Sequence, residues 1–330
     1  MKKVLVTGGG GFVGSHIVRL LQKKKSIEPI VVGRNRYPEL EKGGVRCLRG
    51  DISNQQEMHT IIRDVDTVFH VAALAGIWGK WEDYQRINVE GTANVVSACK
   101  QNGIKRLIYT STPSVVFNGR DIDAGDEGLP YAEKFLCHYA KSKMIAEKLI
   151  LSVDHPHLSC CAIRPHLVWG PGDPHLIPRL LERGRMKKLK KVGKCTNMVD
   201  ISYVENVASA HILAAENLEN SGTAAGKAYF ISQGEAVNLW DWIDELFAQF
   251  KIPVIQKKVS FPVAYMAGYF LEGLHHLFMS ENEPQMTRFL AEQLALSHNF
   301  SIENAQNDFG YFPAINTQEG MKRMLEDYAK

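Results

Sequence analysis

A tyrosine and a lysine four residues apart have the types and spacing that suit proton transfer. In Tyr139-Ala-Lys-Ser-Lys143 both side chains lie on one face of a predicted helix, because residues four apart are neighbours on a helical surface. A nearby ammonium stabilises a phenolate and lowers the phenol pKa from its usual value of about 10. We therefore predict that Tyr139 exchanges a proton with an alcohol or ketone, and that Lys143 lowers the pKa of Tyr139.

Hydroxyl side chains cluster upstream of this helix, where a predicted strand over 106–110 ends. The run is Thr110-Ser111-Thr112-Pro113-Ser114. A hydroxyl can both donate to and accept from a substrate oxygen. We predict that a hydroxyl at the end of this strand holds the substrate oxygen.

The N-terminal residues show the order strand, glycine-rich turn and helix. An apolar run over 4–6 precedes four glycines, and apolar residues then recur at helical spacing from Phe12. Gly8 would allow the tight turn, Gly11 the approach of a pyrophosphate, and Gly14 close packing of helix on strand. The first helical turn would offer N–H groups to the phosphates. Spacing alone leaves an ordinary glycine-rich loop as the alternative.

Two arginines follow the second strand, where a dinucleotide site meets the adenosine ribose. An acid about twenty residues beyond the glycine loop favours NAD, whereas arginine can pair with a 2′-phosphate. Arg34 occupies this position and Arg36 is close by, so we predict NADP(H), with NAD(H) as second choice. In the alternative, both are solvated surface residues. Asp51 is predicted to cap the next helix or to hydrogen-bond to adenine.

Strand and helix patterns alternate five times through the first half of the chain. The predicted strands cover 4–6, 29–32, 45–48, 65–71 and 106–110, and a helix is predicted over 84–101. This alternation predicts an α/β fold, a doubly wound parallel (Rossmann) sheet with a smaller C-terminal substrate lobe. We place the dinucleotide-binding domain at 1–165 and the substrate lobe mainly at 166–330.

Residues after the fourth strand lie at the predicted binding edge of this sheet. The small side chains of Ala72 and Ala73 would let a nicotinamide ring lie against the backbone. Trp78, in the loop over 76–81, either contacts a ligand or covers an edge of the core.

Composition narrows the class of protein. The 330 residues include 45% hydrophobic and 23% charged residues, which is typical of a globular protein. A net charge of +3 is too small to indicate a nucleic-acid partner. The six cysteines have no metal-ligand spacing, so we predict buried thiols, no metal and a cytoplasmic protein.

These motifs resemble those of the extended short-chain dehydrogenase/reductases. The family pattern T-G-x-x-G-x-x-G stands at 7–14, with the Tyr139/Lys143 pair and Asn88 in Asn-Val-Glu-Gly-Thr. The run over 109–132 resembles the 3β-hydroxysteroid dehydrogenase branch, which includes decarboxylating sterol dehydrogenases. Four further segments are similar to bacterial reductases of 2-alkyl-3-oxoalkanoates: 36–40, 76–82, 164–181 and 229–236.

The resemblance implies hydride transfer between NADP(H) and a hydrophobic 3-keto or 3-hydroxy substrate, first of all a 2-alkyl-3-oxoalkanoate reduced to the 3-hydroxy acid. It implies catalysis by Tyr139, Lys143 and Thr112, although the branch usually carries serine at the position of Thr112, and Ser111 is the alternative. Substrate contacts are expected at Trp78, Ser114 and His166. Cofactor contacts are expected at Gly8, Gly11, Phe12, Val13, Gly14, Arg34, Arg36, Asp51, Ile52, Ala72, Ala73, Tyr139, Lys143, Pro165 and His166.

Three other functions stay open at this point. A 3β-hydroxysteroid dehydrogenase would use the same groups on a sterol. A nucleotide-sugar epimerase or dehydratase normally prefers NAD, which Arg34 disfavours. A dinucleotide-sensing regulator without catalysis typically lacks the tyrosine and the lysine. We expect a homodimer, with docking to other enzymes of the pathway as a further expectation.

Two C-terminal segments allow more than one interpretation. The apolar segment over 261–279 contains Glu272, His275 and His276, so it should not span a membrane. It is a core helix, a lid over a hydrophobic substrate, or a helix in peripheral contact with a membrane. The basic run over 183–194 is a solvated face, or it attracts an acidic substrate, a partner protein or an anionic membrane.

Overall fold

A seven-stranded parallel sheet forms the centre of the protein. The computed structural model describes residues 1–153, 155–278, 280 and 282–329. The strands are β1 (Lys3–Thr7), β2 (Glu28–Gly33), β3 (Arg46–Arg49), β4 (Thr67–His70), β5 (Arg106–Thr110), β6 (Ile122–Gly125), β7 (Ser159–Pro165), β8 (Val168–Trp169), β9 (Lys191–Val192), β10 (Met198–Val199), β11 (Ser202–Tyr203), β12 (Ala228–Ile231), β13 (Val237–Asn238), β14 (Lys258–Val259) and β15 (His298–Phe300).

Helices cover both faces of this sheet and build the C-terminal region. The α-helices are α1 (Phe12–Gln22), α2 (Pro38–Lys42), α3 (Gln55–Ile61), α4 (Trp81–Tyr84), α5 (Gly91–Gln101), α6 (His138–Leu151), α7 (Leu176–Arg185), α8 (Val204–Glu219), α9 (Leu239–Gln249), α10 (Phe261–Leu277), α11 (Arg288–Ala295), α12 (Glu303–Phe309) and α13 (Thr317–Tyr328). A π-helix spans Gln85–Glu90, and a 3₁₀-helix spans Pro113–Val115.

The strand order of the central sheet is β12-β7-β5-β4-β1-β2-β3, and every pair is parallel. The predicted doubly wound Rossmann sheet is thus confirmed. The order reverses beside β1, so the crevice for a ligand opens at the carboxyl ends of β1 and β4. The central strands are buried on both faces, because α1 and α8 pack on one side and α3, α5 and α6 on the other.

Smaller sheets accompany the C-terminal helices. A four-stranded sheet has the order β13-β10-β15-β6, and β8 pairs with β11 as β9 pairs with β14. A separate hydrophobic cluster fills this region, with Trp169, Trp240 and Phe247 among its buried side chains. Because β12 joins the central sheet while its neighbours build this cluster, the chain passes repeatedly between the two regions.

Local predictions fail at three places. The helix predicted over 84–101 contains the π-helix, which widens it around Asn88. Asn54, not Asp51, caps α3, because its side chain accepts a hydrogen bond from the Glu57 N–H. Cys47 and Cys195 are half-buried, unlike the other four thiols.

Helix α10 turns its carboxylate inwards and its apolar side outwards. Gly268 lets it approach α11, since a Cβ there would lie 2.6 Å from the Arg288 nitrogen. The buried Glu272 accepts hydrogen bonds of 2.7 Å from both N and Nε of Arg288. The outward residues are exposed: Val263, Met266, Tyr269, Phe270, Leu274 and Leu277. The core-helix interpretation of 261–278 is therefore wrong, and Met279 lies outside the described residues.

No helix in the described ranges is long and apolar enough to cross a membrane. In the basic run, Lys191 lies 2.5 Å from Asp244 of α9, whereas the other lysines are exposed.

A buried ion pair fastens α6 to β7. Glu147 accepts hydrogen bonds from Nε of Arg164 at 3.0 Å, from its Nη2 at 2.6 Å and from the Tyr131 hydroxyl at 2.8 Å. The guanidinium also lies over the Phe230 ring, 5.0 Å from its centroid. Removing one partner of such a pair leaves an uncompensated buried charge.

We expect Glu147→Ala to lower the free energy of unfolding by about 3–5 kcal/mol, because it leaves the buried Arg164 cation without its anionic partner. Urea denaturation followed by circular dichroism measures the change. Glu133→Ala, which removes an exposed carboxylate from the loop before α6, is the matched control and should change stability by less than about 0.5 kcal/mol. Equal stability of the two variants would contradict this role of the ion pair.

Candidate active site

The glycine turn after β1 is packed too closely for side chains. A Cβ on Gly14 would lie 2.3 Å from the Gly8 oxygen, and a Cβ on Gly8 would lie 2.9 Å from Cα of Ala72. Gly8 also has a φ of +68°, a conformation that favours glycine. Gly11 is the N-cap of α1 and has no side chain with which to cap it. The N–H groups at Phe12 and Val13 thus begin a helix whose N-cap residue leaves its first turn open to an anion.

A buried histidine ties the ends of β1 and β4 together. His70 Nδ1 lies 2.8 Å from the Thr7 hydroxyl, and its Nε2 lies 2.9 Å from the Thr92 hydroxyl. Thr7 Oγ1 also accepts hydrogen bonds of 3.2 Å from the N–H groups of Val71 and Ala72. Burial, helped by the charge of Lys143, lowers the pKa of His70 to about 3, so the ring is neutral. This network fixes the backbone at Ala72, beside the glycine turn.

Asn88 connects the loop after β4 with α6. Its Oδ1 accepts from the Leu74 N–H at 2.7 Å, and its Nδ2 donates to the Leu74 oxygen at 3.0 Å and to the Ser142 hydroxyl at 2.9 Å. Ser142 in turn donates to the Tyr139 backbone oxygen at 2.8 Å. The π-helix places Asn88 in this position, which agrees with the frequent occurrence of such turns at functional sites.

Tyr139 and Lys143 occupy successive turns at the start of α6, as their spacing predicts. Lys143 is 2% exposed. Its Nζ donates to the Thr110 oxygen at 2.5 Å and lies 4.1 Å from the centroid of the Tyr109 ring. Burial lowers the pKa of Lys143 to about 7, although the charge of Glu147 opposes this shift.

The predicted lowering of the Tyr139 pKa is not found in this structure. Part of the Tyr139 ring surface stays accessible, yet the protein atoms around the hydroxyl disfavour a charge and raise its pKa above the usual value. Lys143 directs its ammonium to Thr110, so it does not offset this effect. Tyr139 therefore keeps its proton at neutral pH.

The two candidate hydroxyls after β5 differ in their surroundings. Ser111 Oγ is buried without a hydrogen-bond partner among the described residues, so a substrate cannot reach it without a rearrangement. Thr112 caps the 3₁₀-helix, where its Oγ1 lies 3.2 Å from the Ser114 hydroxyl. Ser114 lines a cavity of about 200 Å³ together with residues of α6, α10 and α11. This arrangement favours Thr112 over Ser111.

The predicted ribose site lies at the carboxyl end of β2. Arg34 and Arg36 are exposed. Burial would raise the pKa of Asp51, but hydrogen bonds from Ser53 and the nearby charge of Arg34 bring it below its usual value. The ring of Tyr37, which has no predicted role, covers Gly10 so closely that a Cβ there would lie 1.9 Å from it. Ile52 is buried, and Asn94 donates to its carbonyl oxygen at 3.0 Å.

The remaining predicted residues lie around the crevice. Ala73 is exposed, and Pro165 ends β7. The His166 ring is buried and its Nε2 lies 2.6 Å from Nδ1 of His298, whereas the predictions place it against cofactor and substrate. Trp78 contacts α10: its indole donates to the Ser280 oxygen at 3.2 Å and packs on the His276 ring. The described residues contain no cluster that could hold a metal ion.

Comparison with known proteins assigns the family. The model of the 3-beta hydroxysteroid dehydrogenase/isomerase family matches residues 5–263, which include the glycine turn, Thr112, Tyr139 and Lys143. The chain belongs to this family. It is an oxidoreductase that acts on CH–OH groups.

Two curated relatives cover almost the whole chain. The 2-alkyl-3-oxoalkanoate reductase of Stenotrophomonas maltophilia is 44% identical over 324 residues, which are 98% of each chain. The decarboxylating sterol-4-alpha-carboxylate 3-dehydrogenase of Homo sapiens is 34% identical and covers 99% of this chain and 88% of its own. Among solved structures, MoeE5 in complex with UDP-glucose and NAD has a TM-score of 0.74 at 25% identity and covers 99% of this chain.

Several residues around this candidate active site carry no sequence signal of their own. The family motif contains Asn88. Its hydrogen-bond partner Ser142 lies between Tyr139 and Lys143 in the sequence, where nothing indicates its contact with Asn88. His298 approaches His166 from 132 residues further along the chain. Long-range contacts of this kind leave no spacing pattern, so an alignment or a structure is needed to find them.

Proposed function

We propose that this protein reduces a 2-alkyl-3-oxoalkanoate to the 2-alkyl-3-hydroxyalkanoate with NADPH. The observation that supports this most is the 44% identity to 2-alkyl-3-oxoalkanoate reductases of two bacteria over nearly the full chain. The cavity beside Ser114 supports it as well, because most of its lining is apolar.

The residues present fit a dinucleotide. The uncapped first turn of α1 and the turn at Gly8 offer backbone N–H groups for a pyrophosphate. Arg34 and Arg36, exposed near Asp51, would pair with a 2′-phosphate. Pro165 and the backbone of His166 would border the nicotinamide, and Ala72 and Ala73 would leave room for its ring. When bound, the cofactor supplies the hydride.

Tyr139 would supply the proton. Since burial keeps its phenol neutral, Tyr139 can donate to the oxygen of a ketone, which suits the reductive direction. Lys143, one turn along α6, would contact the nicotinamide ribose. Its N–H groups would also take part in the transfer of this proton. Thr112 would orient the substrate oxygen by a hydrogen bond from its hydroxyl. Asn88 and Ser142 hold the Tyr139 backbone in place for this transfer.

The substrates after which these two relatives are named share one feature. A 2-alkyl-3-oxoalkanoate and a sterol-4-alpha-carboxylate both carry a carboxylate on the carbon next to the reacting C3. We therefore place a 3-keto or 3-hydroxy acid with large apolar substituents in the cavity, and a sterol carboxylate is the second candidate. Homodimer formation, docking to other enzymes and contact of α10 with a membrane stay predictions.

We expect Tyr139→Phe to fold and bind dinucleotide normally but to lose turnover by a factor of about 10² or more, the scale of general acid catalysis. NADPH oxidation with a 2-alkyl-3-keto acid measures the loss. Tyr328→Phe, at an exposed tyrosine of α13, is the control and should turn over normally. Turnover of Tyr139→Phe near that of the control would remove Tyr139 from the mechanism.

We expect Arg34→Ala to weaken NADPH binding about 10- to 100-fold with little effect on NADH, because one charge-assisted contact is worth about 1.5–3 kcal/mol. Fluorescence titration with both dinucleotides measures these affinities. Arg46→Ala, at an exposed arginine that begins β3, should leave both affinities unchanged. Tighter binding of NADH than NADPH by the unmodified protein would overturn the cofactor assignment.

We expect kcat/KM to rise with alkyl chain length by up to about fourfold per methylene, since burial of one methylene gains about 0.8 kcal/mol. Tyr265 lines the cavity from α10, so Tyr265→Ala should flatten this rise. Phe270→Ala, on the outward side of the same helix, is the matched control. A flat series, or a preference for a 3-keto steroid or a UDP-hexose, would show that the proposed substrate is wrong.

A further inference from the structure

The cavity beside Ser114 contains one acidic side chain. It lies between α10, α11 and the segment that follows β5, and the hydroxyl of its lining residue Ser114 is hydrogen-bonded to Thr112. Its apolar walls come from Phe117, Phe135, Leu136, Ala140, Tyr265 and Phe289. Glu292, on the second turn of α11, completes the lining. A carboxyl among apolar side chains requires a physical explanation, because burial of a polar group without a hydrogen bond is unfavourable.

The carboxyl of Glu292 lacks a partner within the protein. Across the described ranges it makes no hydrogen bond and no ion pair, although the residue is half-buried. The backbone opposite leaves room for it, because a Cβ on Gly119 would lie 3.0 Å from Glu292 Oε1. Gly119 also has a φ of +74°, which other residues rarely adopt. The group is thus held against the cavity with its hydrogen-bonding capacity unused.

The cations nearby do not neutralise Glu292. Arg288, one turn earlier on α11, already donates to Glu272 of α10. Lys134 lines the cavity but is exposed and forms no ion pair with Glu292. The charged and titratable groups that line the cavity with Glu292 are Lys134 and Tyr265, and Arg288 acts on its charge from one turn earlier on α11. Arg120 and Asp121 follow Gly119 along the chain and are exposed.

Burial among these apolar walls raises the pKa of Glu292 to about 7, and the charge of Arg288 opposes the shift only in part. A carboxyl with this pKa is half protonated near neutral pH, and its neutral form carries an O–H donor. The acceptors that such a donor binds most strongly are anionic oxygens.

We propose that Glu292 recognises the carboxylate of the substrate, to which its protonated carboxyl donates a hydrogen bond. This inference rests on the proposed function, in which the substrate has a carboxylate next to the reacting carbon. Two carboxyl groups that share one proton attract each other, whereas two carboxylates repel. Glu292 therefore binds the acid end of the substrate while the apolar walls contact its alkyl groups.

Calorimetry tests this directly. A 2-alkyl-3-hydroxy acid and its methyl ester are titrated into the full-length protein saturated with NADPH, which cannot oxidise them, between pH 6 and pH 8. The Glu292 proton is lost as pH rises through about 7. The acid, ionised throughout, should therefore bind about tenfold more weakly at pH 8 than at pH 6, in proportion to the protonated fraction of Glu292. The ester should bind equally at both.

The Glu292→Gln variant keeps a hydrogen-bond donor at this position but removes the negative charge that Glu292 acquires when it loses its proton. Its amide donates at every pH, so the variant should bind the acid independently of pH and about tenfold more tightly than the unmodified protein at pH 8. Glu133→Gln, at an exposed carboxylate outside the cavity, is the matched control and should retain the pH dependence.

Turnover assays follow the reduction of the corresponding 2-alkyl-3-keto acid by NADPH and distinguish the two proposals. Turnover of the keto acid, together with pH-independent binding of the hydroxy acid by the unmodified protein, would overturn the role of Glu292 and leave the proposed function standing. The same pH dependence in Glu292→Gln would also overturn it. Binding with the expected pH dependence but without turnover would support Glu292 and contradict the proposed reaction. Absence of binding would contradict both.

Discussion

The side-chain amide of Asn88 fixes the relative positions of the elements that carry the catalytic groups. It pairs with both backbone groups of Leu74, after β4, and reaches α6 through Ser142, whose hydroxyl holds the Tyr139 backbone. Thr92 donates to the Asn88 carbonyl oxygen at 2.7 Å and thereby joins this network to His70 and β1. Because all these hydrogen bonds join groups of the protein itself, the fold organises the geometry of the site.

Burial controls the charges around this network. It makes His70 neutral, lowers the pKa of Lys143 to about 7 and raises that of Tyr139. In each case the surrounding protein disfavours the charged form, because water is excluded. The consequence for Tyr139 is a retained proton at neutral pH. A sequence motif indicates that a phenol and an amine are neighbours, but it does not indicate how deeply the two groups are buried. The depth of burial determines whether the pKa of each group rises or falls.

Features encoded by short spacing were predictable, and features encoded by distant contacts were not. The alternation of strands and helices predicted the parallel sheet, the glycine pattern predicted the turn before α1, and the Tyr139/Lys143 spacing predicted a shared helix. The expected cap at Asp51 failed because Asn54 makes the better-placed hydrogen bond. Composition could not orient α10, whose outward apolar side depends on Gly268 packing against α11. The pairing of His166 with His298 joins strands far apart in the chain.

The π-helix at Gln85–Glu90 requires a fixed number of residues in this segment. Its wide turn accommodates one residue more than an α-helix would, and α5 continues directly from it. Deleting a single residue here would restore α-helical geometry and remove the wide turn that carries Asn88. Helix α5 would keep its packing on α3 and the hydrogen bond from Asn94 to Ile52, but Asn88 would lose Leu74. This segment should therefore tolerate substitutions on its exposed side but neither insertions nor deletions.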